Sequence, residues 1–184
     1  LARRRGRDPM KVTCVDKANV FKSMAFFRRV FDEVGEAYPE IERDYAYVDA
    51  LSMYLVQRPA SYDVMVSENM YGDIISDLAA GLVGGLGMAP SGDIGEDSAV
   101  FQPSHGTAPD IAGQELANPL ATILSAGLML RWLGDRHDDS AATQGADRIE
   151  AAVRGVIAEA GVGTPDLGGK MSTGELGDEI VQAL

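Results

Sequence analysis

Cysteine is almost missing from this 184-residue sequence. Cys14 stands alone, so no disulfide can form within the chain, and a reducing compartment such as the cytoplasm fits. Basic residues are also scarce. Lys and Arg total 16 against 28 Asp and Glu, a net charge of −12, and this argues against a nucleic-acid partner, whose phosphates need clustered cations. The one basic cluster, Arg3, Arg4, Arg5 and Arg7, reads as the solvated end of a helix. No stretch approaches the roughly 18 apolar residues of a membrane span. The longest run, Leu120 to Leu130, is too short and adjoins Asn118 and Pro119. No signal peptide opens the chain, and the true N-terminus is expected upstream of Leu1.

What remains is an ordinary globular composition, 46% apolar and 24% charged, in a chain long enough to bury a sizeable core. Lys11 to Asp16 is a β-prone run in which Cys14 takes the place of a small buried residue. Val20, Met24, Phe27, Phe31 and Val34 mark one face of a helix, and Pro39 follows its end. Ile41 to Val48 alternates in part, Ala50 to Gln57 reads as helical, and Asp63 to Val66 reads as a buried parallel strand. Asn69, as a cap, opens a helix reaching Val83. Two long loops are then expected, Gly84 to Ser98 and Pro103 to Pro119. Asn118 and Pro119 form a strong helix start, and that helix is expected to stop at Gly134. Asp135 to Gly145 reads as a polar linker containing His137, followed by helices over Asp147 to Ala160 and Gly174 to Leu184. Strands alternating with helices indicate an α/β protein.

Chemistry concentrates in a few places. Asp73 and Asp77, within GDIISD, lie four apart on a helix and share one face. Such a pair either faces solvent or binds a hard divalent cation through oxygen. His105 begins HGTAPD in a loop nearly free of charge, where a structural role competes with a functional one. Asp110 serves turn chemistry or accepts hydrogen bonds from a nucleotide ribose. Asn118 is a helix cap or a ligand contact. The glycines from Gly81 to Gly87 close a helix instead of opening one, so any NAD site here is not of Rossmann type. Lys17 alone is an unremarkable lysine at a strand end.

Together VDKANV (Val15 to Val20), Val48-Asp49, ENMYGDIISD (Glu68 to Asp77), HGTAPDIAG (His105 to Gly113) and ANPLATILSAGLML (Ala117 to Leu130) closely resemble one family. It is that of isopropylmalate dehydrogenase and its isocitrate, homoisocitrate, tartrate and D-malate relatives. The resemblance runs from about Lys11 to the C-terminus, with the motifs in the family's order. It implies an α/β, isopropylmalate/isocitrate dehydrogenase-like two-domain fold, C-terminal half only. Residues 1–83 would belong to the dimerisation and metal-site domain and 84–184 to the NAD-binding domain.

The implied activity is NAD-linked oxidative decarboxylation of a 2-hydroxydiacid, with 3-isopropylmalate the first choice. The implied cofactors are NAD and Mg²⁺ or Mn²⁺, and the implied assembly is a homodimer with shared active sites. Asp73 and Asp77 would hold the ion, joined by Asp49 from the partner subunit. Lys17, also from the partner, would help remove the substrate hydroxyl proton and forms the catalytic set with Asp49. His105, Asp110, Ile111 and Asn118 would line the adenosine pocket. Ala50 departs from the Asn that many relatives place after the metal-site aspartate. The family's substrate-binding arginines and catalytic tyrosine belong to the N-terminal half. Neither Tyr54 nor Tyr71 matches that tyrosine. A non-catalytic subunit of the same fold is the reading from a different class.

Overall fold

The computed structural model describes residues 1–184. They form two compact units, Leu1–Leu82 and Val83–Leu184.

The first unit opens with a short helix, α1 (Ala2–Arg5), ended by Gly6 in the left-handed conformation. The arginines in and just after it are not merely solvated: Arg3 pairs with Glu40, and Arg5 and Arg7 reach the nearly buried Asp63. Three parallel strands follow, β1 (Lys11–Asp16), β2 (Glu42–Tyr47) and β3 (Val64–Ser67), in the order β2-β1-β3. The central strand β1 buries four consecutive residues, Thr13 to Asp16, because helices cover both of its faces. On one side, Val15 packs with Ala46, with Leu51 and Leu55 of α3 (Val48–Gln57), and with Ile75 of α4 (Asn69–Leu82).

On the other side lies α2 (Lys22–Gly35), where the expected apolar stripe is partly replaced. Met24, Phe27 and Phe31 are half-buried, but Val20 and Val34 are exposed, and Arg28 and Asp32 share the inward face. Phe31 meets Tyr45 edge-on with ring centroids 5.8 Å apart. The sheet is parallel as expected, yet β3 is not a buried strand. It is an edge in this chain, with its side chains half-buried and Val66 exposed. Helix α4 is capped not by Asn69 but by Glu68, whose carboxylate accepts from the backbone N–H groups of Met70 and Tyr71 at 3.1 and 2.9 Å.

The second unit replaces the first expected loop with a hairpin, β4 (Pro90–Ile94) paired antiparallel to β5 (Ala99–Pro103). Glycine content concealed it. Gly92 lies against the Phe101 ring, where a Cβ would come within 3.0 Å, so the strand needs the glycine at that crossing. The hairpin rests on α5 (Leu120–His137), with Phe101 and Trp132 centroids 6.0 Å apart.

Nor is there a linker at 135–145. Helix α5 continues to His137, Asp138 turns the chain in the left-handed conformation, and Asp139 caps α6 (Ser140–Ile157) through Ala141 and Ala142. The polar residues read as a linker are therefore a helix end, a tight turn and a cap. Gly134 allows the close approach, since a Cβ there would sit 2.3 Å from the Thr143 hydroxyl. Helix α7 (Thr173–Ala183) opens with a reciprocal capping box between Ser172 and Glu175. Leu120, Ala152, Val153, Val156, Leu176 and Ile180 form this unit's core. No helix is long and apolar enough to cross a membrane.

Candidate functional site

In the first unit, parallel pairing places the ends of β1 and β2 side by side, with Asp16 in register with Tyr47. The residues just beyond, Lys17 and Asp49, meet there as an ion pair of 2.6 Å. Asp49 stands in the first turn of α3 and is exposed, while the Lys17 side chain is largely covered. The Lys17 hydrogen bond, helped by backbone N–H groups at the helix start, holds the Asp49 carboxyl below its ordinary value. A lysine and a carboxylate at the carboxyl ends of adjacent parallel strands occupy the ligand-binding edge of an open α/β sheet.

The third strand, β3, runs into α4, and that helix carries Asp73 and Asp77. Both are exposed, on the opposite side from the buried Ile75, and neither carboxylate is paired with a cation. Two hard oxygen donors one turn apart, uncompensated by any basic side chain, suit a divalent cation. The chain by itself brings together no group of three or more His, Cys, Asp or Glu placed to hold an ion. Asp73 and Asp77 thus offer two ligands, and Asp49 is bound up with Lys17 instead of with them.

Arg28 was not marked by the sequence pattern, and Asp16 only as the end of a strand. Asp16 is fully buried and is gripped by both arms of Arg28, at 2.7 and 2.8 Å. That hydrogen bond raises the Arg28 pKa above its ordinary value. The available signal was a charge at the buried end of a β-prone run and an arginine on the apolar side of a helix. Cys14, beside Asp16, is fully buried, and desolvation pushes its thiol up to about 12, so it is no nucleophile. An apolar hollow of about 420 Å³ lies among Val12, Phe31, Val34, Tyr38, Val64 and Val66, and it holds none of the candidate residues.

In the second unit, the segment from Pro103 to Pro119 is tied at both ends and exposed in the middle. Ser104 N–H donates to the Ala89 carbonyl, while Thr173 secures the carbonyls of Glu115 and Ala117. Between the ties lie His105, Asp110 and Ile111. His105 Nδ1 is 2.9 Å from the Gly106 carbonyl, which leaves Nε2 available. Asp110 and Ile111 sit on a 3-10 turn, Pro109–Ile111, entered through Ala108 in the left-handed region. The Gln114 amide donates to the Asp110 carbonyl, leaving the Asp110 carboxylate exposed.

Asn118 is different, being buried at the base of this segment. Its oxygen accepts from Leu120 N–H at 2.9 Å, and its amide donates to Asp166 at 2.9 Å and toward the Met88 sulfur at 3.8 Å. Asp166 in turn accepts from the fully buried Thr164 hydroxyl at 2.5 Å. The cap and anchor roles of Asn118 therefore use nearly all its hydrogen-bonding capacity. Gly87 presses against it, with no room for a Cβ, and this gives one glycine of the rich run a purpose. The Asp166 and Thr164 partners had no sequence signal, as they lie more than 40 residues away.

Parallel strands covered by helices, a lysine–carboxylate pair at the strand ends and two exposed aspartates on α4 give the first unit the open α/β architecture whose strand ends form a ligand-binding edge. The comparisons narrow this. Residues 1–180 match the model of the isocitrate/isopropylmalate dehydrogenase family, and the chain belongs to that family. It is 50% identical over 185 residues to 3-isopropylmalate dehydrogenase of Archaeoglobus fulgidus, covering all of this chain and 54% of that protein. It is 49% identical over 176 residues to a mitochondrial NAD isocitrate dehydrogenase regulatory chain from Dictyostelium discoideum, covering 95% of this chain and 48% of that one. Among solved structures, isocitrate dehydrogenase from Methylococcus capsulatus aligns with a TM-score of 0.90 at 43% identity, over 99% of this chain and 52% of that one. The chain thus spans about half the length of the relatives it matches.

Proposed function

We propose that this chain carries the metal-binding and NAD-binding half of a decarboxylating dehydrogenase that converts a 2-hydroxydiacid, foremost 3-isopropylmalate, to a 2-keto acid and CO₂ while reducing NAD. The observation that carries the reading is the pairing of Lys17 with Asp49 at the strand ends, together with two uncompensated aspartates on α4. Asp73 and Asp77 of one subunit and Asp49 of its partner would hold Mg²⁺ or Mn²⁺. That ion, when bound, supplies Lewis acidity to the substrate hydroxyl and carboxylate oxygens. Because Lys17 and Asp49 meet within one chain, a single partner subunit delivers both groups together. The reading therefore includes a homodimer with shared sites.

Lys17 accepts the C2 hydroxyl proton at Nζ, and only a free amine can do so, so the Asp49 carboxylate must leave it before that step. NAD, when bound, would supply the hydride acceptor. Its adenosine end would lie along the exposed segment, with the Asp110 carboxylate toward the ribose, Ile111 against the base and His105 presenting Nε2. Asn118 supports that segment from below. In this reading residues 1–83 serve dimerisation and metal binding and residues 84–184 serve NAD binding. Substrate-clamping arginines and the acid that protonates the enolate would come from the other half of the protein.

A second reading has a specific observation behind it, the similarity to a chain named as regulatory. The retention of Lys17, Asp49, Asp73 and Asp77 favours the catalytic reading, since a purely regulatory copy has no use for four metal-centre groups. Mn²⁺ titration of the chain separates the two. The catalytic reading expects binding that is lost in Asp73→Asn and Asp77→Asn, and unchanged binding in both variants would contradict it.

A further inference from the structure

We infer that Arg28 and Asp16 are positioning residues for Lys17, a device that fixes the angle at which this lysine leaves the sheet. Asp16 is fully buried, and both its oxygens are used. Oδ1 accepts from Arg28 at 2.8 Å and from the Ala18 backbone N–H at 2.8 Å, and Oδ2 accepts from Arg28 at 2.7 Å. Lys17 is the residue enclosed by that Asp16–Ala18 loop. Its own carbonyl accepts from the N–H groups of Val20 and Phe21, both at 3.0 Å, so its backbone is held on either side.

The side chain is directed as well. The Tyr47 ring lies 5.2 Å from the Arg28 guanidinium and 5.9 Å from Lys17 Nζ. Arg28 also lies over Tyr45 at 5.1 Å, so one guanidinium ties α2 to the ends of both β1 and β2. A rigid planar fork is needed for this, because it grips a carboxylate and stacks on aromatic faces at the same time. A fold needing only burial at this position would use apolar residues, since a buried ion pair is a weak source of stability. The pair is instead formed at the residue next to the lysine to which the proposed function assigns proton transfer, with Tyr47 between its guanidinium and that lysine, and the inference rests on that assignment for its catalytic meaning.

Amine labelling at one fixed pH tests the positioning on the 184-residue chain itself, read at its lysines, Lys11, Lys17, Lys22 and Lys170. Lys17, largely covered and paired, should label about tenfold more slowly than the exposed Lys22. Arg28→Met should raise Lys17 labelling about fivefold while Lys11, on the same strand, stays within about twofold. Arg28→Lys, which keeps the charge and loses the fork, should recover less than about half of that protection. Because Arg28→Met leaves Asp16 buried and unpaired, the double variant Asp16→Ala/Arg28→Met removes both partners and preserves the fold more readily. It should show the same selective rise at Lys17. If Lys17 labelling in the double variant stayed within about twofold of the parent while Lys11 remained protected, the positioning role would be overturned. Equal recovery by Arg28→Lys would overturn the need for the fork.

Turnover gives the separate check. In the chain combined with the N-terminal half of a relative, Arg28→Met should lower kcat about tenfold or more with the KM for NAD unchanged. Retained turnover in Lys17→Met would remove the proton-transfer assignment and leave the labelling result standing, so the two failures are distinguishable.

Discussion

Lys17 and Asp49 lie 32 residues apart in sequence yet form a 2.6 Å ion pair, because β1 and β2 run parallel and end in register at Asp16 and Tyr47. Asp73 and Asp77 are set on a separate helix. The chain thus presents a lysine–carboxylate pair on one element pair and a two-aspartate face on another helix, and the proposed function joins them across two subunits.

The aspartate face can be tested without loss of fold. Asp73→Asn and Asp77→Asn should abolish Mn²⁺-dependent turnover in the assembled enzyme. Both side chains are exposed and repel each other across one helical turn, so neutralising either should stabilise by a few tenths of a kcal/mol, about 0.2–0.5, at low salt. Metal titration and thermal melts measure the two effects separately. Activity like that of the parent in either variant would contradict the assignment.

In the proposed function, cofactor choice rests on Asp110. An exposed carboxylate facing a ribose accepts hydrogen bonds from its hydroxyls and repels a 2′-phosphate, so NAD should be preferred to NADP. Asp110→Lys should shift kcat/KM toward NADP. Steady-state kinetics with both dinucleotides decide it, and a parent enzyme that favoured NADP would contradict the role.

Leu176 and Ser172 test the supporting core. Leu176 is fully buried beside Leu120 and Ile180, so Leu176→Ala should cost about 2–5 kcal/mol. Ser172→Ala removes the cap of α7 and should cost about 1 kcal/mol. The Glu175 carboxyl is held below its ordinary 4.5 by the Ser172 backbone N–H. Its contribution is therefore present above about pH 4.5 and is lost as pH falls through the depressed folded value. Melts of Glu175→Gln across that window should show a weaker acid-side decline than the parent.

Much of this arrangement was legible in the sequence, for local reasons. The strand Lys11–Asp16, the helix carrying Asp73 and Asp77, and the cap at Asn118 each follow from periodicity or a capping residue within a few positions. The hairpin Pro90–Pro103 was not legible, because glycines that serve strand crossings look the same as glycines that serve loops. The turn at Asp138 and Asp139 was hidden for a similar reason: polar residues that end one helix and cap the next resemble a linker. The grip of Arg28 on Asp16 and of Asp166 on Asn118 lay out of reach because those partners are brought together only by the tertiary fold.

Subunit sharing makes a distinct prediction. Lys17→Met and Asp73→Asn, each inactive alone in the assembled enzyme, should recover activity when unfolded and refolded together. With random pairing in a C₂ dimer, about a quarter of all sites would be intact. A mixture as inactive as its components would mean that each site is built within one subunit.

Turnover by the chain, alone and completed, is the most direct test of the account. Purified 184-residue chain should bind Mn²⁺ yet give no NADH from NAD and 3-isopropylmalate, since the proposed function assigns the groups that clamp the substrate near the nicotinamide, at about 3–3.5 Å, to the N-terminal half found in its relatives. Adding the N-terminal half of the Archaeoglobus fulgidus relative should produce Mn²⁺-dependent NADH and CO₂ in equal amounts. Steady NADH production by the chain alone, or a folded, Mn²⁺-loaded complex with no turnover on any 2-hydroxydiacid, would contradict it.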